Sequence, residues 1–157
     1  MSAPLRILVA DDHGPFRAML KSFLGAQGAE VVECRNGREA LHRFGELAPD
    51  WVLMDIEMPV LDGLAATRQL MAGSPRARVV ILTQHNDDQS RAAAREAGAC
   101  AFLPKDEFEL LTAMLFPTQT HSVLVDKTQT TQLTTIISPA IQSANVGLDP
   151  SPKPKNL

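Results

Sequence analysis

Five short apolar runs, each followed by a helical pattern, occupy residues 5–116 and leave few folds open. The runs are LRILVA (5–10), AEVVEC (29–34), WVLM (51–54), RVVIL (78–82) and CAFL (100–103). Most are continuously apolar, as strands covered on both faces of a parallel sheet must be; the second alternates more amphipathically. Between the runs the period changes. Phe16, Met19, Leu20, Phe23 and Leu24 recur at helical spacing, and Gly25 and Gly28 should stop that helix. Asn36 should cap a second helix that carries Leu41, Phe44 and Ala48 on one face, with Pro49 beyond its end. A third should begin at Asp62 or Gly63 and reach about Ala72, before a Gly73-Ser74-Pro75 turn. An alanine-rich fourth should start at Asp87 or Asp88 and close at Gly98. The last should start at Asp106, set Phe108, Leu111 and Leu115 on one side, and end before Pro117. Five strand–helix repeats with short connections predict an α/β domain built on a doubly wound, five-stranded parallel sheet.

The composition changes at Pro117. Residues 1–116 hold 16 acidic and 12 basic residues, whereas 117–157 are rich in Thr, Ser, Gln and Pro and hold five charges. We therefore expect a folded domain over 1–116 and a largely disordered tail over 117–157. The Ile136–Ile137 cluster among threonines is the tail's one candidate strand. The tail is neither basic nor helically patterned, so no DNA-reading output domain is expected in it, and no direct nucleic-acid binding. A net charge of −3 agrees with that. No apolar run approaches the ~20 residues of a membrane span, and acidic residues arrive too early for a secretory signal, so a cytoplasmic location is expected. Cys34 and Cys100 lack metal-ligand spacing and read as plain buried thiols.

In a doubly wound sheet, ligands bind beyond the carboxyl ends of the strands, so the residues placed there decide function. The first strand ends in Asp11-Asp12, the third in Asp55, the fourth in Thr83, and the fifth runs to Lys105. Three carboxylates at one edge repel and raise one another's pKa. A hard divalent cation resolves that repulsion, and Mg²⁺ favours a few carboxylates together with water and phosphate oxygens. Lys105 and Thr83 add an ammonium and a hydroxyl suited to phosphoryl oxygens, which leaves Asp55 as the natural nucleophile.

These motifs resemble a response-regulator receiver domain over essentially all of residues 1–116: Asp11-Asp12, the stretch DIEMPVLDG from Asp55 to Gly63, Leu82-Thr83, and Lys105. The opening Asp11-Asp12-His13 is most similar to the subgroup that usually carries a helix-turn-helix output domain. The resemblance implies a flavodoxin-like (βα)5 receiver fold and a signalling role, not an enzyme beyond its own phosphorylation and dephosphorylation. Asp55 would accept a phosphoryl group from a phosphohistidine of a sensor histidine kinase or a phosphotransfer protein. Asp12 and Asp55 would bind Mg²⁺ directly, Asp11 mainly through water, and the Glu57 backbone carbonyl would complete the protein ligands. Thr83 would hydrogen-bond the phosphoryl group, Lys105 would pair with it, and Phe102 would be the aromatic switch residue. Output would pass to a downstream protein, or to a second copy of the chain, through the last helices.

Four positions depart from the family's pattern or vary within it. Gln84 follows Thr83 where a small residue is usual, and it should restrict phosphodonor access or slow hydrolysis. Glu57 and His85 should line the phosphate entrance. Asp106, not proline, follows Lys105, so the family's cis peptide there would be non-prolyl and cost about 3–4 kcal/mol. Three rival readings carry different signatures. An aspartyl-nucleophile phosphatase would also have an acid two residues after the nucleophile, as Glu57 is, but no acidic pair after the first strand. A nucleotide-binding module needs a glycine- or hydroxyl-rich phosphate loop where Asp-Asp-His-Gly stands. A receiver fold kept only as an interaction surface would not need this full set of acids and lysine.

Overall fold

A computed structural model describes residues 2–117. The elements alternate without exception: β1 (Arg6–Ala10), α1 (Gly14–Ala26), β2 (Glu30–Cys34), α2 (Gly37–Leu47), β3 (Trp51–Asp55), α3 (Gly63–Gly73), β4 (Val79–Thr83), α4 (Asp88–Ala97), β5 (Ala101–Pro104) and α5 (Phe108–Leu115). All strand pairs are parallel, and the order across the sheet is β2-β1-β3-β4-β5. The winding direction reverses between β1 and β3, where such a fold opens a crevice at its carboxyl edge.

The continuous apolar runs are explained by two cores, one on each face. Ile7, Val9, Leu53 and Leu82 pack against Leu20 and Leu24 of α1 and Leu111 and Leu115 of α5. Leu8, Val52, Met54 and Ile81 pack against Ala40 of α2, Ala66 and Leu70 of α3 and Ala94 of α4. Every residue of β3 and β4 is buried, while the edge strand β2 keeps Glu30 exposed, as its alternating sequence predicts.

Three helix starts are set by side-chain caps. Asn36 accepts from the Glu39 amide at 2.9 Å, Asp62 from Ala65 at 2.8 Å and Asp87 from Ser90 at 2.8 Å. Other boundaries differ from expectation. Helix α1 continues through Gly25, and the turn comes at Gly28 with φ +88°. Ala48 takes the left-handed cap position of α2 at φ +44°, so it lies exposed instead of sharing the helix's apolar face. Helix α5 starts at Phe108, not Asp106. The Lys105 amide still donates to Thr83 O at 2.9 Å, in line with the sheet, and Glu107 turns back to Pro104 O at 3.1 Å. Met19, at the border of its stripe, is 43% exposed.

Cys34 is buried and Cys100 half-buried, both free. Burial, the largest cause in each, pushes their thiols up to about 12 and about 11, which makes them inert. No cis peptide occurs among the described residues, so the bond after Lys105 is trans, the form favoured where no proline follows. The expected tail lies outside the described residues apart from Pro117. Among the described residues no helix is long and apolar enough to cross a membrane.

Candidate functional site

The carboxyl ends of β1, β3, β4 and β5 meet at one edge and deliver five of the expected side chains there. Asp11 follows β1 and is 1% exposed; Asp55 ends β3 and is 6% exposed; Thr83 ends β4, also buried. One carboxylate oxygen from each of Asp11, Asp12 and Asp55 lies within 4.8 Å of the others. Lys105 enters from the far side. Its Nζ is 2.6 Å from Asp11 Oδ2 and 3.4 Å from Asp55 Oδ1, and it lies 4.8 Å from the centre of the Phe16 ring. One ammonium thus bridges two buried carboxylates, while Asp12 is exposed and has no hydrogen bond or ion pair among the described residues.

The electrostatics are unbalanced. Burial, then the charge of Asp11, raises the Asp55 carboxyl to about 6, and Lys105 pulls it partly back. Asp11 Oδ1 accepts from the His13 amide at 2.9 Å. Its Oδ2 is buried with no aligned hydrogen-bond donor, and the close approach of Lys105 is an ionic contact. The ammonium can rotate a proton toward that oxygen, so the ion pair stands. Lone pairs nonetheless remain for a further cation. The donor set consists of hard oxygens, two of them on buried acids, and it fits a small divalent ion such as Mg²⁺.

A cleft of about 360 Å³ opens over Asp55, rimmed by Asp12, Glu57, Thr83, Gln84 and Lys105. Thr83 Oγ1 accepts from the His85 amide at 3.0 Å, which fixes one side of its hydroxyl. His85 Nε2 stands 3.6 Å from Glu57 Oε1, both side chains exposed, at the cleft. Gln84 is exposed at the rim. Phe102 is not in the cleft. It is 4% exposed in the core beside Ile81, with the Arg91 guanidinium 4.9 Å above its ring.

Three supports of the site are missing from the sequence reading. Arg17 Nη1 donates to the Asp11 carbonyl at 2.7 Å. Gly63 packs so closely on the end of β3 that a Cβ there would overlap the Asp55 carbonyl oxygen, and its amide donates to Ile56 O at 2.9 Å. Asp62-Gly63 reads in sequence only as a turn and helix start. Phe16, expected as one more core residue of α1, carries the lysine over its ring.

Comparison with known proteins agrees with this geometry. A family model described as the response regulator receiver domain matches residues 7–116. The regulatory protein AtoC of Escherichia coli is 36% identical over 115 residues, covering 71% of this chain and 25% of AtoC. The chemotaxis protein CheY of Thermotoga maritima is 38% identical over 101 residues, 64% of this chain and 84% of CheY. The crystal structure of response regulator protein TrrA from T. maritima in complex with Mg²⁺-BeF superposes with a TM-score of 0.64 at 31% identity. It covers 71% of this chain and 98% of that one. The match thus spans about a quarter of AtoC and most of CheY.

Proposed function

Because this chain belongs to the response regulator receiver domain family, whose general role is two-component phosphorelay, we propose that Asp55 is its phosphoacceptor. Receiver domains take part in signalling with histidine kinases or phosphotransfer proteins, and they bind Mg²⁺ at an acidic pocket. The observation that carries the assignment is the bridge of Lys105 between two buried carboxylates under an open cleft.

In the proposed reaction an Asp55 carboxylate oxygen attacks the phosphorus of a phosphohistidine. A P–O bond forms, the P–N bond breaks, and its electron pair returns to the imidazole nitrogen. With its pKa near 6, Asp55 is mostly ionised at neutral pH and able to attack. Asp11, Asp12, Asp55 and the Glu57 carbonyl would hold Mg²⁺, which when bound neutralises the oxygens of the incoming group. Lys105, 3.4 Å from the Asp55 oxygen, pairs with a phosphoryl oxygen, and the Thr83 hydroxyl donates to another. The acyl phosphate carries about −1.5 to −2 charges where the ionised carboxylate carried one, and this added charge beside Thr83 biases a two-state loop in which Phe102 is the switch. Gln84, Glu57 and His85, at the entrance, set how readily donor and water reach Asp55. The folded unit is residues 1–116, acting in the cytoplasm, and its state passes to a downstream protein or a second copy through the last helices.

The test is incubation of the full chain with Mg²⁺ and acetyl phosphate, followed by intact-mass measurement. One phosphoryl group that hydroxylamine removes, absent from Asp55→Ala, is the expected result. A hydroxylamine-resistant label, or a label that survives in Asp55→Ala, would refute the assignment.

A further inference from the structure

The turn that carries Asp11 and Asp12 is held from beneath by a residue outside the acidic pocket. Arg17 lies on the second turn of α1, its side chain only 12% exposed. Its amide closes the first helical bond to His13 O at 3.1 Å, and its Nη1 reaches back to Asp11 O at 2.7 Å. Asp11 therefore has its amide on Cys34 O of β2 at 3.1 Å, its carbonyl on Arg17 and its Oδ1 on the His13 amide. Glu33 of β2, opposite Val9 of β1, stands 3.6 Å from Arg17 Nε and 3.1 Å from Lys21 Nζ. The contact answers Arg17's charge without giving Nε an aligned hydrogen bond.

Asp12 is the opposite case. Its side chain has no hydrogen bond or ion pair among the described residues, so its direction comes from the backbone of the 11–13 turn alone. We infer that Arg17 is the positioning residue of the cation site: its bond to the Asp11 carbonyl orients the turn that aims the Asp12 carboxylate at Asp55. The guanidinium suits this task because its planar fork binds an oxygen with one nitrogen while another faces Glu33. The inference rests on the assignment of Asp11, Asp12 and Asp55 as the Mg²⁺ site.

The test is calorimetric titration of the full, unphosphorylated chain with Mg²⁺, with circular dichroism as the folding control. Arg17→Met should weaken Mg²⁺ binding about tenfold, the lower end of what outer supports of metal ligands contribute. Arg17→Lys, which keeps the charge and loses the fork, should weaken it about threefold. Glu33→Gln, which leaves the Arg17–Asp11 bond in place, should stay within about twofold of the parent. With acetyl phosphate, Arg17→Met should need about tenfold more Mg²⁺ for half-maximal phosphorylation and reach nearly the parent rate at saturation. A structural role alone would lower stability without moving that midpoint. Parent-like Mg²⁺ affinity in a folded Arg17→Met would overturn the inference; should that variant not fold, parent-like affinity in Arg17→Lys would do so. A parent chain that binds no Mg²⁺ would overturn the site assignment and this inference with it.

Discussion

At the amino end of the sheet, Arg6, Glu30, Asp50 and Arg78 are charged and lie in solvent; at the carboxyl end, Asp11, Asp55 and Lys105 are charged and lie in the interior. The amino end is settled pair by pair. Arg6 faces Glu30 at 3.4 Å, Asp50 accepts the Arg6 amide at 2.8 Å, and Arg78 donates to Asp50 O at 3.0 Å while lying over the Trp51 ring. The carboxyl end sets three carboxylates against one ammonium, with Asp12 lacking a partner among the described residues. Acids and bases at the two ends of one sheet thus give solvated tethers at one end and an unsatisfied anionic site at the other. Burial separates the two, because the cost of like charges grows as water is withdrawn.

The contrast can be broken most forcefully at Gly63. A Cβ there meets the Asp55 backbone, which cannot yield as a flexible side chain would. Gly63→Ala should lose about 3 kcal/mol or more in urea unfolding, the upper range for overpacking. A loss below about 1 kcal/mol would mean that the start of α3 is soft. Asp55 provides the electrostatic counterpart. In metal-free protein its folded pKa of about 6 stands above the ordinary 3.8, so the folded state binds more protons than the unfolded between those values. Stability from this group therefore falls as pH rises from about 4 to about 6, by about 3 kcal/mol in all. Asp55→Asn, which cannot ionise, should exceed the parent's stability at pH 7.5 in EDTA by up to that amount. It should also show a flatter pH profile from 4 to 6. Equal stabilities at pH 7.5 would remove the strain assigned to the carboxyl end.

Two smaller effects sharpen the comparison. Val60, in the loop that rims the carboxyl edge, holds φ +70° while 72% exposed, a conformation that a β-branched residue adopts at a cost. Val60→Gly should gain about 1 kcal/mol in the same unfolding assay, and a loss would show that the valine contributes contacts outweighing its strain. At the amino end, removing one acid should do little. Arg6 and Glu30 are each about half exposed, so Glu30→Gln should change stability by less than about 0.5 kcal/mol. A larger loss would make the amino end a second electrostatic centre.

Much of the architecture was legible in the sequence because it rests on short-range signals. The unbroken apolar run of β3 announces burial on both faces, and Asn36, Asp62 and Asp87 announce helix starts by their own side-chain chemistry. The start of α5 differs from expectation for the same reason. Asp106 is a good cap by type, but the chain at Lys105 is still bonded to Thr83, and the helix cannot begin until that bond is passed. The site was legible as a list of residues, since polar groups at strand ends of a doubly wound sheet must share one edge. Its supports were not. Arginine is ordinarily a surface residue, so nothing local says that Arg17 turns beneath Asp11, and a glycine after a cap gives no hint of the carbonyl it touches.

Sequence by itself therefore determined the alternation of strands and helices, the order in which Asp11, Asp12, Asp55, Thr83 and Lys105 arrive, and the hard-oxygen character of the pocket. Periodicity and side-chain type are properties of a few neighbouring residues, and they survive in any reading of the chain. Only the tertiary structure decided that Lys105 lies between Asp11 and Asp55, that Phe102 sits behind the cleft under Arg91, and that Arg17 holds the Asp11 carbonyl. Those are distances between residues far apart along the chain or on different elements. They follow from strand register and helix packing, which no local pattern encodes.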